Sequence, residues 1–223
     1  MAIERHQAEA GRILRAAGIL PVISVDSVEQ GRRIADALLE GGLRTLELTL
    51  RTPPALETLA ALKKELPGMV IGAGTVVDEA QARQSIEAGA DFLVTPGTPP
   101  GLADVLAAAP LPVVPGAATP TELLALMGRG FRICKLFPAS AVGGIAMVRA
   151  LAGPLAGLEL CPTGGIDEHD AAGYLAQPNV ACVGGSWMVC RDWIEAGDWA
   201  RITASAANAA AMVRSARRES SPR

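Results

Sequence analysis

Eight short apolar runs, each followed by a helical pattern, recur along this chain and leave few folds open to it. The runs cover 20–25, 45–50, 70–75, 92–95, 113–115, 131–137, 159–163 and 180–184. They are continuously apolar rather than alternating, which is the pattern of parallel strands buried on both faces. Ser27, Asp78 and Thr119 stand where helix N-caps belong, and Gly41-Gly42, Pro67-Gly68 and Gly89 stand at the stops. A further helical pattern precedes the first strand at 3–17, and a long one starts at 199. Eight such units predict an α/β fold closed into a (β/α)8 TIM barrel with an extra N-terminal helix. An open doubly wound sheet is the alternative, but no G-x-G-x-x-G follows the first strand. No shift in composition divides residues 1–223, which read as one barrel domain.

Half of the residues are hydrophobic and only 3% are aromatic, so aliphatic side chains must fill the core. A formal charge of −3 and a pI near 5.5 argue against a nucleic-acid-binding surface. No apolar run approaches the roughly eighteen residues of a membrane span. The opening residues, with Glu4, Arg5 and His6 ahead of a helical pattern, do not read as a signal peptide, and none is expected. The expected location is cytoplasmic, without nucleic-acid or membrane partners. Cys134, Cys161, Cys182 and Cys190 show neither C-x-x-C spacing nor a nearby histidine set, and three of them fall inside strands. They read as buried thiols, so no metal and no cofactor is expected. His6 and His169 both fall on helical segments, which argues against a histidine-based mechanism.

One strand carries an unusual residue. In Phe131-Arg132-Ile133-Cys134-Lys135-Leu136-Phe137-Pro138, a lysine sits in the middle of an apolar run. Lysine occurs three times among the twenty cationic residues, so seventeen are arginine, and the other two lysines are the adjacent Lys63 and Lys64. The chief chemical difference is that a lysine amine can lose its proton and attack a carbonyl. From this stretch alone two readings stand: a nucleophilic amine, or a structural lysine that snorkels or closes a core ion pair.

Chemistry in such barrels sits at the C-terminal strand ends, and those ends are polar here. Alternation turns Lys135 inward with Ile133 and Phe137, and leaves Cys134 and Leu136 facing the helices. On the second strand the same rule groups Glu47, Thr49 and Arg51 inside the mouth, against Leu46, Leu48 and Leu50. Glu47 is then the carboxylate set deep within a strand, whereas Asp91 and Glu159 fall at strand starts. Thr75, Thr163 and Ser186 end strands, and Gly164-Gly165 and Gly184-Gly185 form glycine-rich turns. Each of these has a bland explanation as an ion pair, a cap or a turn. Together they set a base, an amine, an anion clamp and two N–H-rich loops on one rim.

Five segments carry a resemblance: Leu46-Glu47-Leu48-Thr49-Leu50-Arg51-Thr52, Gly72-Ala73-Gly74-Thr75-Val76, Cys134-Lys135-Leu136-Phe137-Pro138-Ala139, Cys161-Pro162-Thr163-Gly164-Gly165-Ile166 and Gly184-Gly185-Ser186-Trp187. In order and spacing, across roughly 20–198, the set resembles the 2-keto-3-deoxy-6-phosphogluconate (KDPG) and 4-hydroxy-2-oxoglutarate (KHG) aldolase family. Ser140 and Thr95 depart from the family's usual acidic residue and serine, which bears on the exact sugar acid more than on the reaction.

The resemblance implies a metal-free class I aldolase in which Lys135 forms a Schiff base and Glu47 shuttles protons. Arg51, with Thr75, would hold the substrate carboxylate, Phe137 would wall the pocket, and Thr163 would touch the substrate chain. Gly164, Gly165, Gly184, Gly185 and Ser186 would bind the phosphate of a small phosphorylated 2-keto sugar acid, with a helix N-terminus after the last strand adding its dipole. The products would be pyruvate and glyceraldehyde 3-phosphate, and the assembly a homotrimer. Three alternatives stay open: activity on the galactonate epimer, an isomerase or synthase with a non-covalent lysine, and a non-catalytic sugar-acid-binding barrel.

Overall fold

In the computed structural model, which describes residues 2–220 without the side chains of 217–220, helix α1 (Ala2–Ala17) precedes a ring of parallel strands. The elements then run β1 (Ile19–Ile23), α2 (Val28–Glu40), β2 (Thr45–Thr49), α3 (Ala55–Glu65), β3 (Val70–Gly74), α4 (Glu79–Glu87), β4 (Phe92–Val94) and α5 (Pro100–Ala107). They continue through β5 (Val113–Val114), β6 (Gly116–Ala117), α6 (Pro120–Met127), β7 (Ile133–Leu136), α7 (Gly144–Ala152), β8 (Glu159–Pro162), α8 (Glu168–Leu175) and β9 (Val183–Gly185). A short 3-10 turn (Trp187–Val189), α9 (Arg191–Glu195) and α10 (Trp199–Ser220) follow. One sheet runs β5-β4-β3-β2-β1-β9 and another β6-β7-β8. Parallel bridges Leu160–Val180 and Thr163–Gly184 join β8 to β9 and close the ring. The expected (β/α)8 barrel is therefore present.

The fifth barrel strand differs from expectation. It is split at Pro115 into β5, which pairs with β4, and β6, which pairs with β7. Proline has no N–H for the ladder, and the backbone changes partner there. The 3-10 turn stands where a helix start was expected after the last strand, and α9 is an addition to the expected elements.

The caps fall where predicted. Ser27 accepts from Gln30 N–H and Asp78 from Gln81 N–H, while Thr119 and Glu122 make a reciprocal capping box. Leu46, Leu48, Ile71 and Leu136 are fully buried in one large cluster that also takes in Ile34, Leu38 and Leu59 of the helices. Each such burial contributes roughly 1.5–3 kcal/mol. A smaller interior cluster joins Leu20, Phe92, Val94, Val114 and Ile133 to Ile13 and Leu14 of α1, which plugs the N-terminal end. The plug is also polar: buried Gln7 donates to Val113 O at 2.8 Å and accepts from Arg132 N–H at 2.9 Å and Ile133 N–H at 3.1 Å. At the strand starts Asp91 pairs with Lys63 and accepts Ile71 N–H, while Glu159 pairs with Arg15. Those two carboxylates belong to the end opposite the mouth, as the sequence suggested.

Candidate active site

The inward and outward sets divide as alternation requires. Ile133 lies in the interior cluster, and Cys134 and Leu136 lie in the outer one beside Leu46 and Leu48. Lys135 and Glu47 are left inside, from strands on different sides of the ring. Lys135 Nζ donates to Glu47 Oε1 at 2.9 Å and Oε2 at 3.3 Å. Their side chains are 5% and 1% exposed. The Phe137 ring centroid is 5.2 Å from the same ammonium. Removing one member of a pair this buried strands the other charge, at a cost of about 3–5 kcal/mol.

Absent side chains make the room. A Cβ on Gly74 would sit 2.2 Å from Glu47 Oε1, and one on Gly184 would sit 2.3 Å from Thr163 Oγ1. Gly184 thus backs Thr163, its bridge partner, and is not part of the cavity wall above. Cys161 of β8 is the register partner of Lys135. A hydrogen bond with Cys182 holds the Cys161 thiol below its ordinary range, against burial and with help from the Lys135 charge. Burial pushes Cys182 well above it.

At the mouth, exposed Arg51 follows β2 and donates from Nε to Thr75 Oγ1 at 3.2 Å. Thr75 follows β3 with φ +59°, the one positive φ outside glycine among the described residues. A β-branched residue there is strained by roughly 1–3 kcal/mol. A cavity of about 130 Å³ is lined by Arg51, Phe137, Thr163, Gly164, Gly165, Gly185 and Ser186, and by Val22 and Ile166, which the sequence reading did not single out. Val22, Arg51 and Ser186 also line a neighbouring cleft of about 590 Å³ that extends toward α9. Gly164 and Gly165 take φ of +99° and +71°, and a Cβ on Gly165 would meet Ser140 Oγ at 1.8 Å. Ser186 opens the 3-10 turn without capping it through its side chain. The helix N-terminus expected after the last strand is therefore a single short turn, with a correspondingly small dipole.

His6 and His169 lie on α1 and α8 and line neither space. Among the described residues, no group of three or more His, Cys, Asp or Glu is arranged to hold a metal, and no helix is long and apolar enough to cross a membrane. The arrangement can pass a proton between an amine and a carboxylate in a dry pocket. Beside it lie a fixed guanidinium and a rim of backbone N–H groups.

Residues 11–205 match the family model for KDPG and KHG aldolase. This chain belongs to that family. It is 42% identical over 209 residues to 2-dehydro-3-deoxy-phosphogluconate aldolase of Dickeya dadantii, covering 94% of this chain and 98% of the relative. It is 41% identical over 201 residues to KHG/KDPG aldolase of Escherichia coli K12, covering 90% and 94%. Among solved structures, KDPG aldolase from Legionella pneumophila, with pyruvate captured at low pH as a covalent carbinolamine intermediate, superposes with a TM-score of 0.87. That comparison is at 39% identity and covers 89% of this chain and 96% of that one. The Zymomonas mobilis ZM4 enzyme with 3-phosphoglycerate gives a TM-score of 0.86 at 37% identity, covering 94% and 97%.

For an aldolase of this family, two features of the site escaped the sequence reading. The glycine clearance for Glu47 had a signal, since Gly72 and Gly74 interrupt an apolar strand. The polar seam beside Pro115, described below, had none beyond two threonines.

Proposed function

We propose that this chain is a class I aldolase that cleaves KDPG to pyruvate and glyceraldehyde 3-phosphate. On this reading it also cleaves 4-hydroxy-2-oxoglutarate to pyruvate and glyoxylate. The observation that carries the reading is Lys135 Nζ at 2.9 Å from Glu47 Oε1 inside the barrel mouth. Glu47 takes a proton from Lys135, and the neutral amine adds to the C2 ketone. Glu47 returns that proton to the departing hydroxyl, water leaves, and an iminium forms. The carboxylate then takes the C4 hydroxyl proton, the C3–C4 bond pair moves into the iminium, and the aldehyde departs. Glu47 gives its proton to C3 of the enamine, and water hydrolyses the resulting iminium to pyruvate and free lysine.

Arg51, held by Thr75, binds the 2-keto carboxylate, and Phe137 and Thr163 bound the carbon chain. The backbone at Gly164, Gly165 and Gly185, with the Ser186 hydroxyl, takes the phosphate, while Gly184 backs Thr163. The carbinolamine in the Legionella enzyme and the 3-phosphoglycerate in the Zymomonas enzyme support both ends of this assignment. The proposal extends to a cytoplasmic homotrimer, for which exposed Val77, Val105 and Leu124 offer apolar contact area. Light scattering at the mass of a monomer would overturn that part. Pyruvate with borohydride should add one substrate-sized mass at Lys135, and Lys135→Arg should be inactive. Labelling confined to Lys63 or Lys64, or no labelling, would overturn the Schiff-base reading in favour of a non-covalent synthase or a binding barrel.

A further inference from the structure

The break in the fifth strand is bridged by side chains. Gly116 N–H donates to Thr95 Oγ1 at 2.7 Å, and Gly116 O accepts from Thr98 Oγ1 at 2.9 Å. The two hydroxyls are 2.7 Å apart. Each hydroxyl has a single hydrogen. Thr98 uses its hydrogen on Gly116 O, so the Thr95 hydrogen must point to Thr98. The result is a closed ring, Gly116 N–H to Thr95 to Thr98 to Gly116 O, around a residue that β4 no longer reaches with its own backbone. The last backbone link across this seam, Thr95 N–H to Val114 O, is stretched to 3.4 Å.

The other edge of the same short strand carries the lysine. Gly116 is the register partner of Lys135, Lys135 N–H donates to Pro115 O at 2.9 Å, and Phe137 N–H donates to Ala117 O at 3.0 Å. The two backbones approach closely here: a Cβ on Gly116 would lie 2.4 Å from Thr95 O. Glu47 stands on β2 and Lys135 on β7, and along this side of the ring they are connected through β3, β4, the hydroxyl ring and β6. We propose that Thr95 and Thr98 are positioning residues for Lys135, their hydroxyls setting the height of Gly116 and so the placement of the amine against Glu47. This rests on the aldolase reading, because it concerns the rate at which that amine attacks a ketone.

The test is the rate of pyruvate-dependent borohydride trapping at Lys135, followed by mass, over a range of pyruvate concentrations. Thr95→Val keeps the shape and removes the oxygen, and Thr95→Ser keeps the oxygen. Thr98→Val, at a half-buried position, breaks the same ring if the first variant fails to fold. The valine variants should trap about tenfold to a hundredfold more slowly, the scale of a misplacement near 1 Å, with the half-saturating pyruvate concentration unchanged. Thr95→Ser should restore the rate. Valine variants that trap at the wild-type rate, or a serine variant as slow as valine, would overturn the positioning role alone. A wild-type protein that is never trapped would overturn the aldolase reading and this role together.

Discussion

Glu47 and Lys135 are 88 residues apart in sequence and meet at 2.9 Å inside the barrel. Both side chains are almost wholly buried, so the proton passes directly between them with little contribution from bulk water. This gives the carboxylate a role that an exposed one would divide with water. Glu47→Gln should lower turnover by about 10²–10⁴, the usual worth of a placed general acid–base. Half-saturating substrate concentrations should change little, because the protons move only during chemistry. Steady-state kinetics on both substrates would check this, and equal losses in binding and turnover would count against it.

The two ends of the substrate should fail differently. Ser186→Ala removes one hydroxyl donor to a phosphate, worth ~1.5–3 kcal/mol for a hydrogen bond to a charged group. The loss in kcat/KM should appear with phosphorylated substrate and nearly vanish with 4-hydroxy-2-oxoglutarate. Arg51→Ala should impair both substrates, since both present the same 2-keto carboxylate. If Ser186→Ala weakens both equally, or Arg51→Ala spares the smaller one, the assignment of ends is wrong.

Activity should survive prolonged treatment with EDTA. In the proposed mechanism the protonated imine is already the electron sink that a divalent ion would otherwise supply. Loss on chelation, followed by recovery on adding a divalent ion, would overturn the class I assignment.

The capping box on α6 predicts a pH-dependent stability. The Ala118 N–H holds the Glu122 carboxyl below its ordinary range, against burial and with help from Thr119. A carboxyl lowered by folding stabilises the protein above its unfolded-state pKa and loses that contribution as pH falls through the folded-state value. The Tm gap between wild type and Glu122→Gln should therefore be open at neutral pH and close in acid. Thr119→Ala should cost about 0.5–2 kcal/mol by denaturant unfolding.

The barrel was legible because eight continuously apolar runs and their capped helices are local signals. Glu47 and Lys135 were legible for the same reason: strict alternation assigns each to a face without knowledge of its neighbours. What stayed hidden depends on which strands become adjacent. Gln7 reads as an ordinary helix residue, yet it bonds Val113, 106 positions away. Thr95 and Thr98 read only as the polar end of the fourth strand until Pro115 is seen to interrupt the strand they face. The α9 segment is five residues long, too short for helical periodicity to register. Gly184 reads like its neighbours in a glycine-rich loop, and only its bridge to Thr163 gives it a separate task.

The missing side chain at Gly74, whose space the Glu47 carboxylate fills, ties the two positions together. With a Cβ, position 74 would overlap the carboxylate, so a larger residue there is compatible only with a shorter one at 47. A larger residue at 74 alone would collide with Glu47, and a shorter one at 47 alone would leave a void beside a buried ammonium. A lineage that abandoned this chemistry would be expected to lose the glycine and the glutamate together. A library meant to move the proton-transfer group to another strand must accordingly vary 47 and 74 as a pair.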